Sequence, residues 1–170
     1  IRVNAQGILD SPEQSYPSRL PPELHYTHWA TECSEKFFRS LCGRSQPFFL
    51  WHSIPDPHPP FSVAEPYYSM YRDCKLPEPL RRSGELEQLP PHYRRLFQQD
   101  LKTAGRIAKT AVAPELERAA MQTVLGIISQ WDAMVGRIVG QLEAHGLSDN
   151  TVIVVMSDHG QMLGDHWMHN

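Results

Sequence analysis

Cysteine is scarce in this chain, and what little there is forms no pattern. Three occur among 170 residues, Cys33, Cys42 and Cys74, and no two of them make a CxxC pair, so their spacing does not point to a thiolate zinc site. Cys33 and Cys42 fall in or beside one expected helix, where nine residues rise about 13 Å. A disulfide wants Cα atoms roughly 4.4–6.8 Å apart, so these two are read as unpaired thiols, with a bridge from either to Cys74 or to residues outside the chain left open. Long apolar runs are absent too: Phe48–Trp51 and Val152–Met156 are far too short to span a bilayer. Charge of one sign is lacking. The formal net charge of -3 carries no footprint for nucleic acid or an anionic membrane. No internal repeat or low-complexity tract occurs. The first residue is Ile1 with no signal-peptide pattern after it, and Asn170 falls within a Gly- and His-rich loop, so the chain reads as an internal piece of a larger protein, cut at both ends.

An apolar share of 41% is ordinary for a soluble domain, and the length suffices for one real core. Residues Ile1–Pro22, polar and rich in Pro and Ser, read as an extended connector. Tyr26–Leu41 reads as a helix with Thr27 or Thr31 as cap, Trp29, Cys33, Phe37 and Leu41 along its apolar stripe, and Gly43 as its stop. Phe48–Ile54 fits a buried strand. From Pro55 to Pro91 the chain holds nine of its 15 prolines. Proline lacks a ladder donor, so this stretch is expected to be a surface excursion pinned by Tyr67, Tyr68 and Tyr71. His92–Thr103 is a candidate short helix. Pro114 opens the clearest element, a helix striped by Leu116, Ala120, Val124, Ile127, Trp131, Val135, Ile138 and Leu142 and ended by Gly146. A Ser148-Asp149-Asn150 turn leads to Thr151–Met156, whose β-branched residues predict a strand buried in a parallel sheet. Helix, short turn and buried strand are the rhythm of an α/β protein.

Candidate chemistry gathers where such strands end, because ligands of open α/β sheets bind outside the carboxyl ends of the strands. Asp158 and His159 follow Thr151–Met156, and a carboxylate beside a neutral imidazole suits a divalent cation; a polar turn in which Asp158 caps backbone amides is the structural alternative. The second cluster, Asp56-Pro57-His58-Pro59-Pro60-Phe61, follows the other expected strand and should lie at the same edge. Its prolines reduce the entropy of placing His58, an imidazole able to bind an anion or protonate a leaving oxygen, unless it is simply an exposed loop histidine. Asp165 and His166 repeat the Asp-His pair and are candidates for substrate or second-layer contacts. The His166–His169 run has no diagnostic ligand spacing. His52, Asp132 and the tryptophans Trp29, Trp51 and Trp131 read as structural.

With those residues in hand, the chain resembles the sulfatase family of the alkaline-phosphatase superfamily. THWATECSEKFF, PFFLWHSIPDPHPPF, EPYYSMY and KLPEP look like the family's helix, strand, PHxPF segment and following loop. GIISQWDAMVGRIVGQLEAHGLSDNTVIVVMSDHGQMLGDH looks like its long helix, turn and metal strand. The resemblance implies an α/β, three-layer sandwich with a mainly parallel central sheet, represented here only in part: residues 23–170 of a catalytic domain, with 55–113 as a loop excursion. It implies one divalent cation, calcium first and manganese or magnesium as alternatives, with Asp158 and His159 among its ligands. His58 is implied to contact the sulfate group or to protonate the leaving alcohol of a sulfated small molecule or carbohydrate. The family nucleophile is a formylglycine made in a C/S-x-P-x-R motif, and a lysine usually follows the LGDH stretch. None of the three cysteines stands in such a motif, so the nucleophile, the other metal aspartates and the lysine are expected outside this chain, which alone should be inactive. Hydrolysis of sulfate esters is the leading expectation, a phosphodiester or phosphonate monoester hydrolase of the same superfamily the first alternative, and a non-catalytic binding relative the second.

Overall fold

A computed structural model describes residues 15–41, 43, 46–98 and 114–168. Its elements are strand β1 (Ser15–Pro17), helix α1 (Tyr26–Ser40), strand β2 (Phe61–Val63), helices α2 (Glu85–Gln88) and α3 (Pro91–Gln98), and the long helix α4 (Pro114–Ala144). The first 14 residues of the expected connector, the distal part of the His92–Thr103 helix, Cys42 and His169 lie outside the described residues. Cys33 and Cys74 are free and exposed.

Helix α4 is the spine. Its 31 residues extend about 46 Å at 1.5 Å each. Pro114 begins it, and Glu115 and Glu117 sit in its first turn, where negative charge meets the positive end of the helix dipole. Gly146, at φ +65°, supplies the left-handed residue that ends it, and the Leu147 N–H returns to the Leu142 carbonyl at 2.8 Å. Ala120, Val124 and Ile127 meet Phe61 and Val63 in the core, with Tyr67, Tyr68 and Leu163 packed against them; each large apolar side chain so buried is worth about 2 kcal/mol. The outer residues of the expected stripe are less covered: Leu116 is exposed and Trp131, Val135 and Ile138 are half-buried. Burial is deepest over the turns that β2 and α1 cover, and Thr123, Gln130 and Met134 complete that face.

Helix α1 forms where periodicity places it, but it buries another face. Trp29 is 62% exposed and Cys33 is exposed, whereas Thr27, Thr31, Ser34 and Phe38 point inward. Burial of those hydroxyls is possible because each has a partner: Thr27 with Asp56 at 3.0 Å, Thr31 with the Thr27 carbonyl at 2.9 Å, and Ser34 with His52 at 2.9 Å. The helix is capped by neither threonine. His25 does it, its Nδ1 accepting the Thr27 N–H at 3.4 Å. On the far side, Arg137 of α4 reaches Glu35 and His28 of α1, both at 2.8 Å.

The Pro-rich stretch is more than a surface excursion. It contains β2, which pairs in parallel with β1 in the register Ser15–Phe61, Tyr16–Ser62, Pro17–Val63, and Phe61, Val63 and Ala64 are among the most buried residues described. Beyond β2 the expected tyrosine pins are present. Tyr71 shares a hydrogen bond with Ser129 at 2.7 Å, and the carbonyls of Arg72 and Cys74 accept from Gln122 and Arg118 of α4 at 2.9 and 2.8 Å.

Two expected strands are not formed among the described residues. Phe48–Ile54 has no ladder, though its accessibility alternates: Phe48, Leu50, His52 and Ile54 are half-covered while Phe49, Trp51 and Ser53 are exposed. Its covered face lies on α1, with the Phe48 ring 5.8 Å from those of Phe37 and Phe38. Thr151–Met156 has no ladder either, and Val152 is 89% exposed with Ile153, Val154, Val155 and Met156 also bare. A central strand is buried by its neighbours, and no neighbour of this run is among the described residues.

At Gly126 the helix axis comes very near the excursion: a Cβ there would lie 2.3 Å from the Tyr67 carbonyl oxygen and 3.0 Å from its carbon. Both are backbone atoms, which yield little. Gly126→Ala is therefore expected to destabilise the protein by about 1–3 kcal/mol, read as a lower thermal midpoint, whereas Gly136→Ala, which meets nothing within 4 Å, should not lower it.

Candidate active site

His58 is delivered by a turn anchored on the start of α1. Asp56, two residues earlier, is buried and accepts hydrogen bonds from the Tyr26 hydroxyl and, at 3.0 Å, from the Thr27 hydroxyl. The His58 N–H closes the turn on the Pro55 carbonyl at 3.0 Å. Burial pushes the Asp56 carboxyl above the usual carboxylate range, although both hydroxyls and the nearby His25 oppose the shift. Burial likewise holds His25 below the ordinary imidazole value and, together with Asp56, raises the Tyr26 hydroxyl. The anchor thus favours neutral groups. The His58 ring itself is exposed, with Nδ1 2.7 Å from the Pro59 carbonyl. A carbonyl can only accept, so Nδ1 carries the hydrogen and Nε2 is left to meet a ligand.

Asp158 and His159 occupy a second loop and have the same division of labour. The His159 N–H donates to Asp158 Oδ1 at 2.9 Å, and His159 Nδ1 lies 2.9 Å from the Gly160 carbonyl. Those contacts leave Asp158 Oδ2 and His159 Nε2 unengaged and 3.8 Å apart, with side chains 88% and 68% exposed. The Ser157 hydroxyl steadies the loop through the His159 carbonyl at 2.6 Å. Among the described residues no third His, Cys, Asp or Glu joins them in a metal-sized cluster. The two loops meet through Gln161, whose amide nitrogen donates to the Pro57 carbonyl at 3.3 Å.

Asp165 and His166 stand elsewhere in the network. Asp165 Oδ1 accepts the Leu80 N–H at 2.7 Å, and His166 Nδ1 lies 2.5 Å from Glu85 Oε1. Both side chains are engaged with the segment around α2, and that contact holds Glu85 below the usual carboxylate range. His52 is half-buried, on Ser34, with its imidazole value lowered by burial. Asp132 and Trp51 are exposed.

Sequence reasoning passed over Asp56 as an anchor and Gln161 as a tie; the signal available was an acid inside a proline turn just after an apolar run. It also overlooked a match in letters: Ser15-Tyr16-Pro17-Ser18-Arg19 satisfies Ser-x-Pro-x-Arg, the serine form of the nucleophile motif, so the motif pattern is not absent from the chain. The structure places Ser15–Pro17 in β1, with Ser15 opposite Phe61 and the Ser18 N–H on the Val63 carbonyl at 2.9 Å. That backbone is committed to a strand ladder, and it carries no catalytic assignment.

Three comparisons bear on this arrangement. The family model described as Sulfatase matches residues 6–170. A multifunctional alkaline phosphatase superfamily protein of Trinickia caryophylli is 34% identical, over 88% of this chain and 30% of its own length. An arylsulfatase of Clostridium perfringens is also 34% identical, over 89% of this chain and 30% of its own length. Among solved structures, a phosphonate monoester hydrolase of Silicibacter pomeroyi superposes with a TM-score of 0.75 at 27% identity, covering 90% of this chain and 31% of that one. One from Agrobacterium radiobacter gives 0.76 at 26%, covering 96% and 33%. The chain thus spans about a third of the length of the relatives it matches.

Two measurements follow. Because the folded-state value of Asp56 is raised, the unfolded chain releases this proton first: stability is lost as pH climbs from the unfolded carboxylate value, about 4, to the folded one, and is constant above it. Asp56→Asn cannot ionise, so its stability relative to the parent should rise through that window, whereas Asp56→Ala, which strands two hydroxyls, should cost about 1–3 kcal/mol; denaturant titrations across pH read both. For Ser15→Ala in the whole protein, turnover is expected to stay within about twofold of the parent, against a loss of orders of magnitude for a nucleophile.

Proposed function

The chain belongs to the sulfatase family and carries part of an alkaline-phosphatase-like α/β fold, and on that premise we propose that the whole protein is a metal-dependent hydrolase of sulfate esters. The observation that carries the reading is the pairing of Asp158 Oδ2 with His159 Nε2, 3.8 Å apart, each freed by an internal hydrogen bond of its other polar atom. With ligand bonds of roughly 2.0–2.6 Å, two donors so spaced can reach one cation. A ligand histidine that donates its second N–H to a carbonyl is the usual arrangement for fixing the tautomer. Calcium is the family expectation, and the single nitrogen donor suits manganese as well. When bound, the cation offsets negative charge on the sulfuryl oxygens.

His58 supplies the second function. Its Nε2, left free by the Pro59 contact, donates a hydrogen bond to an anionic ester oxygen when the ring is protonated, or passes that proton to the departing alcohol oxygen. Gln161 and the buried Asp56 set where this nitrogen stands relative to the other loop. No nucleophile is assigned to the described residues.

A phosphonate monoester hydrolase is the second reading, favoured by the two solved structures of that activity, which superpose at TM-scores of 0.75 and 0.76. A tetrahedral, anionic ester is common to both readings, so the choice belongs to kinetics.

Asp158→Ala in the whole protein is expected to lose bound metal and activity together; normal metal content would remove Asp158 from the ligand set. His58→Ala should keep the metal and lower kcat/KM about 10²–10⁴-fold, and an unchanged value would reduce His58 to a structural residue. Turnover of an aryl phosphonate well above that of the matching aryl sulfate would overturn the sulfatase assignment in favour of the second reading.

A further inference from the structure

The segment that follows the candidate metal ligands has an unusual backbone. Leu163, Gly164, His166 and Trp167 all have φ between +49° and +104°, and three of the four carry a Cβ. L-residues resist that region, and such a run persists only where the surroundings over-determine it. Part of the determination is local: Asp165 N–H to Met162 O at 2.9 Å, Gly164 N–H to Met168 O at 2.7 Å, and Met168 N–H to Asp165 O at 2.9 Å. The rest comes from about 80 residues away.

There, Pro79–Glu85 lies against the segment as a strap. Leu80 makes a two-way backbone clasp, its N–H to Asp165 Oδ1 at 2.7 Å and its carbonyl accepting the His166 N–H at 2.8 Å. Arg81 makes three contacts at once. Its Nε donates to the Gly164 carbonyl at 3.0 Å, its guanidinium pairs with the buried Glu117 of α4, and its Cζ lies over the Trp167 ring, 4.3 Å from the centroid. A planar, forked cation can do all three, and an ammonium cannot. A Cβ on Gly164 would fall 3.0 Å from this guanidinium and 3.1 Å from the Pro79 ring, so the fit admits only glycine there without a shift.

We propose that Arg81 is a positioning residue: tied to α4 through Glu117, it holds the left-handed 163–167 backbone and thereby the Asp158–His159 loop joined to it. The loop is then fixed from both sides, by Gln161 on the Pro57 carbonyl and by the strap. The consequence for metal affinity rests on the ligand reading above; the effect on the segment does not.

The test uses the whole protein and four variants, Arg81→Ala, Arg81→Lys, Asp165→Ala and Asp165→Asn, with the exposed neighbour Arg82→Ala as control. Hydrogen exchange over residues 157–168 should speed at least tenfold in Arg81→Ala and Asp165→Ala, and only partly in Arg81→Lys. It should remain near the parent value in Asp165→Asn, which keeps an acceptor for Leu80, and in Arg82→Ala. Ca2+ and Mn2+, titrated separately, should bind about tenfold more weakly to Arg81→Ala, with kcat reduced and KM little changed. Parent-like exchange in Arg81→Ala overturns the proposal. Faster exchange with unaltered metal affinity and kcat overturns the positioning role and leaves a structural strap. A parent protein that binds neither cation refutes the ligand reading alone, and exchange still decides whether Arg81 holds the segment.

Discussion

At Gly126 the α4 helix and the Tyr67 carbonyl approach so closely that no side-chain carbon fits between them. That one approach lets the chain after β2 lie flat on the helix, so that Phe61 and Val63 can enter a core with Ala120, Val124 and Ile127. From the same helix surface, Gln122 and Arg118 hold the carbonyls that follow, Ser129 holds Tyr71, and Glu117 holds Arg81. A stretch with nine prolines has few ladder donors of its own, and its order is borrowed from the helix beneath it.

The two loops of the candidate site depend on polar anchors as well as on apolar packing. Asp56 is taken out of water and held by hydroxyls at the start of α1; Arg81 is held by a buried carboxylate at the start of α4. A buried polar group without its partners costs more than the contact contributes, so such anchors specify one loop conformation strongly. His58 and the Asp158–His159 pair stay exposed at the tips, each with one ring or carboxylate atom engaged locally and one turned outward. Under the proposed function, exposed polar atoms on internally braced loops are what binding a small anionic ester with a cation would require.

Much of this was legible in the residues. The helices from Tyr26 and Pro114, the stop at Gly146 and the tyrosine pins follow from periodicity, capping and turn chemistry, which are local. The family resemblance rested on motifs that the comparisons bear out at the level of family and fold. What failed was non-local. Of the stripe expected for α1, Phe37 and Leu41 are half-buried but Trp29 and Cys33 are exposed, whereas Thr27, Thr31 and Ser34 are buried, because hydroxyls become acceptable inside once Asp56 and His52 are brought to Thr27 and Ser34. Asp165 and His166, candidates for substrate or second-layer contacts, meet Leu80 and Glu85, partners that no local pattern names. The first three of the Ser-x-Pro-x-Arg letters at 15–19 belong to strand β1.

By itself the sequence determined where the helices from Tyr26 and Pro114 run, which loops carry the candidate site residues, and the motifs of the family to which the chain belongs, since each of these depends on residues near one another along the chain. Only the tertiary structure decided that Asp56 is buried against the start of α1, that Asp165 and His166 meet Leu80 and Glu85, and that Arg81 contacts the segment near residue 165. Those outcomes hinge on partners 29 to 85 residues apart, and no local pattern records which distant group will arrive to satisfy a buried donor or a left-handed turn.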